Sequence, residues 1–352
     1  MKEKRTTWLP QWTLVGLMIL FPARHSYPLG ACVEIGDCDA GGRITIDELV
    51  KGVNILRGAD LTLCPAFDCS RAPDLHHCVR EAVRGALDRA TLGVSGNAHV
   101  DVGGFELNVR CLGSGAPTVV LDAGRGDTLD VWVAVQPVVA GFTRVCSFDR
   151  AGNGASDPGP FPRTSAQIVT EMHALLQNGC LQPPYILTGH SFGGLDIHLY
   201  ASNYPDEVAG LVFIDGRPSG FYDGLMALQP PLPPEIAAIY LSCSGITQPA
   251  GFSECTNVAE SEAEVAAAAP LPHVPMTVFV SGQSDAGLPP EVAEQMDALW
   301  LRLQTELADS VPGSVLTVID CPHYIHLCRP DLINATVNDM VAVFRAPPLS
   351  LP

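Results

Sequence analysis

The chain has 352 residues, 47% of them apolar and 16% charged, with 33 Gly and 30 Pro. That composition excludes disorder, collagen-like repeats and coiled coil, and the length suits one sizeable catalytic domain plus something smaller. With 20 Lys and Arg against 38 Asp and Glu the formal charge is −18, a balance that repels phosphate backbones and argues against nucleic acid as a partner.

Lys2, Lys4 and Arg5 precede an apolar run from Trp12 to Phe21, which Pro22 breaks. A basic start and an apolar stretch of roughly ten residues describe a secretory signal peptide, too short for a stable bilayer-spanning helix. A permanent amino-terminal anchor is the alternative. Leu29-Gly30-Ala31-Cys32 also resembles a lipobox, with Cys32 as the lipidated residue, although residues 22–28 separate it from the apolar run. The 12 cysteines suit an oxidising compartment. The expected location is therefore outside the cytoplasm: secreted, periplasmic or at the cell surface, with residues 1–30 as signal and leader.

Residues 31–92 read as a small helical, cysteine-rich module. The stretch from Asp37 to Glu48 fits the calcium loop of an EF-hand. Asp37 and Asp39 take the first two carboxylate positions and Gly42 the sharp turn. Arg43 offers its backbone carbonyl, and Glu48 is the closing bidentate ligand. Gly41 stands where a further oxygen is needed, which lowers the expected affinity. An acidic turn before a helix is the plainer reading. Asp68-Cys69 echoes Asp37-Cys38, but Ser70, Ala72, Pro73 and Val79 stand where carboxylates are required. The pair resembles the EF-hand and dockerin-like modules of secreted bacterial proteins, with one usable loop and one vestige. Calcium is thus an expected accessory ion, and docking to a protein partner or the cell surface an expected use. Cys32, Cys38, Cys64, Cys69 and Cys78 read as staples of a small core.

Residues 98–347 change texture. Phe105, Leu107, Val109 and Cys111 alternate as an antiparallel strand does. Buried parallel strands are predicted at 118–121, 144–148, 185–188, 211–214, 276–280 and 315–319. Helices are predicted at 131–139, 165–176, 192–200 and 292–307. Repeated strand–helix units predict an α/β fold with a doubly wound, mostly parallel sheet, whose site gathers at the carboxyl ends of the strands. Residues 216–274, with Pro230, Pro231, Pro233 and Pro234, read as a cap or lid insertion.

Tyr185 to Gly194 reads as a strand running into Gly189-His190-Ser191-Phe192-Gly193 and then a helix. Such a turn lifts the serine Oγ above the sheet, and the helix start aims N–H groups at a developing oxyanion. Together with Pro117 to Gly126, Arg144 to Asp157 and Tyr204 to Asp215, this elbow resembles the α/β-hydrolase superfamily, specifically its secreted bacterial esterase- or lipase-like members.

That resemblance implies a Ser-His-Asp triad in the chain order serine, acid, histidine. Ser191 is the nucleophile. Asp285, after the strand at 276–280, is the expected acid, with Asp215 at another strand end as second candidate. His323, the first histidine after the strand at 315–319, is the expected base, and His326 falls in a supporting role at the start of the terminal helix. The backbone N–H groups of Phe192 and Arg125 are the expected oxyanion donors, the Arg125 side chain being assigned to the surface. Cys321 with Cys328 is expected to brace the histidine loop, and Cys243 with Cys255 the lid. Cys111, Cys146 and Cys180 leave an odd count, so one thiol is free or a bridge leaves the domain.

The expected activity is hydrolysis of a small-molecule or lipid-like carboxylic ester, with no catalytic cofactor. Dehalogenases and epoxide hydrolases of this fold use an aspartate nucleophile, so Ser191 argues against both. An amidase or peptidase is the neighbouring alternative. It would need cap carboxylates for a substrate amine, and Glu254, Glu260, Glu262 and Glu264 are candidates. A calcium-binding surface protein carrying an inert hydrolase fold is the non-enzymatic one.

Overall fold

The computed structural model describes residues 26–27, 96–234, 237, 254–283 and 288–346. Among these residues nine strands form one sheet, in the order β1-β2-β3-β5-β4-β6-β7-β8-β9. The strands are β1 Ser26–Tyr27, β2 Gly96–Asp101, β3 Glu106–Leu112, β4 Thr118–Asp122, β5 Val145–Phe148, β6 Tyr185–His190, β7 Val208–Ile214, β8 Met276–Ser281 and β9 Val315–Ile319. β3 runs antiparallel to both β2 and β5, and every pairing from β5 through β4 to β9 is parallel. The predicted parallel strands all appear. β1 is a surprise: it belongs to the expected leader, yet it pairs with β2 through Ser26 and His99.

The helices are α1 Gln136–Val139, α2 Ser165–Asn178, α3 Gly193–Asn203, α4 Phe221–Met226, α5 Val258–Ala266, α6 Pro290–Asp309, α7 Ile325–Cys328 and α8 Pro330–Arg345. The helix expected over 131–139 is instead a short 3-10 turn, Leu129–Trp132, followed by α1. Pro137 falls in the first turn of α1, where a missing N–H is harmless but which an earlier helix cannot run through. Thr164 caps α2 by accepting from the Gln167 N–H, satisfying one of the unpaired donors of the first turn.

Alternation along the central strands explains the two-sided core. Val120, Leu187, Leu211 and Phe213 pack with α2, α3 and α5 on one face. Val119, Leu121, Ile186, Val212 and Ile214 pack with α1 and α8 on the other. Successive strand side chains point to opposite faces, so a strand covered on both sides must be apolar throughout. Each such aliphatic side chain contributes about 1.5–3 kcal/mol on burial. β9 departs from that rule, with Val315 and Val318 about half exposed, because it is the edge of the sheet.

A smaller apolar cluster lies in and beyond the expected cap, where Phe221 and Leu225 of α4 meet Val292, Met296 and Leu303 of α6. The cap's end is tied firmly to the body. The Asn257 N–H donates to the Arg163 carbonyl at 2.7 Å, Ser261 Oγ accepts from Ser165 N at 2.9 Å, and Glu264 accepts from Ala166 N at 2.8 Å. No helix among the described residues is long and apolar enough to cross a membrane.

Candidate active site

β6 delivers Ser191 to the carboxyl edge of the sheet, and the turn there is tight. Ser191 has φ 51°, in the left-handed region that costs a side-chain-bearing residue about 1–3 kcal/mol and persists only where the surroundings enforce it. The enforcement is visible. The Ser191 carbonyl accepts from Gly194 N at 2.9 Å and from Arg217 N at 2.6 Å. A Cβ on Gly193 would sit 2.6 Å from the Asp122 carbonyl oxygen, and one on Gly189 would collide with the Gly193 carbonyl. Only glycine lets the start of α3 close against the end of β4. This contact puts the start of α3 beside the loop that continues into Ala123, Gly124 and Arg125.

The neighbouring strand supplies a carboxylate. His190 pairs in register with Ile214, so Asp215, the residue after β7, is level with Ser191. Asp215 also has a left-handed φ, 45°, and is buried. Its Oδ1 accepts from Ser281 N at 2.9 Å and from Trp300 Nε1 at 2.8 Å. Its Oδ2 lies 2.6 Å from His323 Nδ1, a charge-assisted distance. Two neutral donors on one oxygen leave the other aimed at the imidazole, whose Nδ1 proton then faces Asp215. A histidine so oriented presents Nε2 as a base.

The His323 loop is fixed from several sides. The Cys321–Cys328 disulfide closes it. The buried His190 places Nε2 3.2 Å from the His323 carbonyl oxygen, and its ring lies 4.7 Å from the His323 ring. Since a carbonyl only accepts, His190 carries its proton on Nε2. Burial, with the charges of His323 and His326 adding to it, holds the His190 pKa well below the usual histidine value. Its Nδ1 lies 3.8 Å from Asp127 Oδ2, and Asp127 Oδ1 accepts from Tyr324 at 3.3 Å. Burial raises the Asp127 pKa. His326 is wholly buried in α7, 4.7 Å from the Trp132 ring, and burial pushes its pKa down to about 3.

Beneath the turn lies a buried ionic cluster. Arg150, directly after the loop from β5, binds Asp122 Oδ1, the Ala123 carbonyl and the Gly124 carbonyl at 2.6 Å each. Glu254 takes its Nε and, at 3.1 Å, its Nη2. Asp196 Oδ2 lies 3.9 Å from Arg150. Burial followed by the Asp122 charge raises the Asp196 pKa well above the usual carboxylate value. Burial raises Asp122 to about 6 despite Arg150. At Glu254 burial is outweighed by the Arg150 charge and hydrogen bonds, and the carboxyl stays below its usual range.

The fold has counterparts. The alpha/beta hydrolase fold family matches residues 117–242. A probable hydrolytic enzyme from Pseudomonas aeruginosa PAO1 superposes with a TM-score of 0.53 at 17% identity, over 70% of this chain and 95% of that one. The chain has the alpha/beta hydrolase fold. Among curated relatives, the uncharacterized protein YqjL of Bacillus subtilis is 31% identical over 103 residues, 29% of this chain and 41% of the relative. The putative carbamate hydrolase RutD of Cronobacter sakazakii is 35% identical over 104 residues, 29% of this chain and 38% of the relative. The chain thus spans less than half the length of either relative.

On this alpha/beta hydrolase fold several expectations change. Asp285 lies outside the described residues, and the carboxylate on His323 is Asp215. β8 contributes a donor to Asp215, the Ser281 N–H. The Arg125 side chain is not a surface group. It is half-buried, and burial followed by the charge of Arg217 lowers its pKa. Glu254 and Glu262 are not open to a substrate amine either. Glu254 is taken by Arg150, and Glu262 accepts from Arg217 Nε at 2.6 Å and Tyr222 N at 2.8 Å. Cys111 is bonded to Cys146 across β3 and β5, and Cys180 and Cys255 are also disulfide-bonded. The reading of a free thiol therefore fails among the described residues. The calcium candidates Asp37, Asp39, Arg43 and Glu48 lie outside the described residues.

The roles of Trp300, Arg150 and Asp127 had not been anticipated. Arg150 carried a signal: a cation two residues after a buried strand demands buried acceptors. Trp300 carried none, since an indole on an amphipathic helix reads as core.

Proposed function

We propose that the protein is a serine hydrolase that cleaves carboxylic esters through Ser191, His323 and Asp215. The observation that carries this reading is the Asp215–His323 contact of 2.6 Å, beside a serine held in a left-handed turn at the start of a helix. Ser191 Oγ attacks the ester carbonyl carbon while His323 Nε2 takes its proton. Asp215 stabilises the imidazolium that forms. The carbonyl oxygen, now an oxyanion, accepts from the N–H groups of Phe192 and Arg125. The tetrahedral centre collapses, the C–O bond breaks, and His323 gives the proton to the leaving alkoxide. Water then repeats the sequence on the acyl-enzyme, releasing the acid and restoring Ser191.

Relatives named as hydrolases support the hydrolytic class. Ester is favoured over peptide because the candidate amine-binding carboxylates are engaged internally: Glu254 by Arg150, Glu262 by Arg217, Glu264 by Ala166 N and Glu260 by Asn257. The disulfides support function outside the cytoplasm. The loop from Asp37 to Glu48 supports modest calcium binding as an accessory property, read as a higher melting temperature with calcium than with chelator.

The direct test is a fluorophosphonate probe with the modified residue mapped by mass spectrometry. Labelling at Ser191, lost in Ser191→Ala and strongly slowed in His323→Ala, is the expected result. A folded protein that neither labels nor hydrolyses short-chain esters would leave the inert-fold reading standing instead.

A further inference from the structure

We infer that Arg150 and Glu254 act together as positioning residues for the loop at 122–127, so that docking of the segment beginning at Glu254 sets the oxyanion hole. The catalytic consequence rests on the ester-hydrolase reading; the placement of the loop rests on contacts alone.

Arg150 has five N–H donors in a rigid planar fork, and all five are engaged. Nε goes to Glu254, Nη1 to Asp122 Oδ1 and the Ala123 carbonyl, and Nη2 to the Gly124 carbonyl and Glu254. The Gly124 carbonyl and the Arg125 N–H belong to one planar trans peptide and point in opposite directions. Holding that carbonyl on the buried guanidinium at 2.6 Å therefore aims the Arg125 N–H away from Arg150. Turning the peptide over would bury that donor against a cation and remove it from the site. Glu254 completes the clamp. Besides Arg150, it accepts from Gly126 N at 2.9 Å and from Asn153 Nδ2 at 3.1 Å. A carboxylate 104 residues away from Arg150 thus grips the same short loop from its other end.

The chemistry makes the charge necessary. Glu254 Oε2 receives three donors: Gly126 N, Asn153 Nδ2 and Arg150 Nη2. Glutamine in its place has a single acceptor oxygen. It must either turn its NH2 toward those three donors or keep its oxygen on them and turn the NH2 on Arg150 Nε. Both outcomes loosen the loop without removing Ser191, His323 or Asp215.

The test uses the full chain as wild type, Glu254→Gln and Asn153→Ala, each checked for cooperative melting. Amide hydrogen exchange over residues 123–127 is read first. Turnover of p-nitrophenyl butyrate and inhibition by an alkyl trifluoromethyl ketone, which forms an oxyanion on the serine, are read second. In Glu254→Gln, exchange over 123–127 should rise ~10-fold or more, because its protection reports local opening. The value of kcat should fall ~10–100-fold with KM within ~2-fold, since an oxyanion donor acts mainly in the transition state. Ketone affinity should fall in step with kcat/KM. Asn153→Ala should move the same amides and kcat in the same direction by less, and it decides the matter if Glu254→Gln does not fold. Unchanged exchange over 123–127 in a folded variant overturns the inference, as does a loss confined to KM. A wild type that hydrolyses no ester would instead overturn the hydrolase reading, with exchange still deciding whether Glu254 holds the loop.

Discussion

His323 Nδ1 lies 2.6 Å from Asp215 Oδ2, and the two residues come from loops 108 positions apart. Asp215 is level with Ser191 because β7 pairs in register with β6. Asp215→Asn should therefore preserve the fold but present an amide to the imidazole and favour the wrong tautomer. The expected loss in kcat is ~10³–10⁴-fold, at least ~100-fold beyond that of Asp285→Asn. Ester turnover with both purified variants checks this. The reverse order would return the acid to the strand end after β8.

Trp300 Nε1 donates to Asp215 Oδ1 at 2.8 Å. Trp300→Phe keeps the ring and deletes the donor, leaving Oδ1 with the Ser281 N–H alone. Losing one hydrogen bond to a buried charge costs about 1.5–3 kcal/mol. The expected readout is a ~10-fold lower kcat with little change in KM, since the indole N–H orients the acid. An unchanged kcat would show that Ser281 suffices.

His190 links the elbow to the His323 carbonyl through Nε2. Glutamine can place an amide N–H near the same position, and leucine cannot. The value of kcat should fall further in His190→Leu than in His190→Gln, with KM similar in both. Equal losses would mean that His190 acts by shape alone.

Acid stability carries a defined sign. His326 is held neutral, with its pKa pushed from 6.5 to about 3 by burial. Between those values the unfolded chain binds the proton and the folded chain does not, so stability from this residue is lost as pH falls from about 6.5 to about 3. Asp122, raised to about 6, works oppositely: the folded state binds the extra proton from about 3.8 to about 6. The comparison of interest is thus His326→Leu against wild type. The variant should show a smaller fall in melting temperature between pH 7 and pH 4.5. An identical fall would exclude His326 as a source of acid sensitivity.

The Cys321–Cys328 bond closes the loop bearing His323 with a separation of seven residues. In the chain-entropy treatment a loop that short is worth about 2–3 kcal/mol. The double variant Cys321→Ala, Cys328→Ala should melt at a lower temperature and lose kcat more than KM as His323 gains freedom. Differential scanning calorimetry and ester kinetics test both. Unaltered kinetics would mean that His190 and Asp215 alone hold the base.

Much of the fold was legible in the sequence because its causes are local. Short apolar runs bounded by glycine and separated by amphipathic helices can bury both faces only as a parallel sheet. The strand, turn and helix around Ser191 were readable for the same reason, since the glycines and the serine that force the turn are adjacent. His323 is legible as the first histidine after the last strand, where the family resemblance implies the base. What pairs with what was not legible. The sequence offers carboxylates at the ends of β7 and β8, and composition ranks neither. Asp215 meets His323 because strand register sets it level with Ser191 and because Trp300 and Ser281 occupy its other oxygen. Arg150 and Glu254 are likewise an isolated cation and one of several cap acids until folding brings them together. Periodicity is a property of neighbours along the chain. The partner of a buried charge is decided by which distant group can reach it once water is gone.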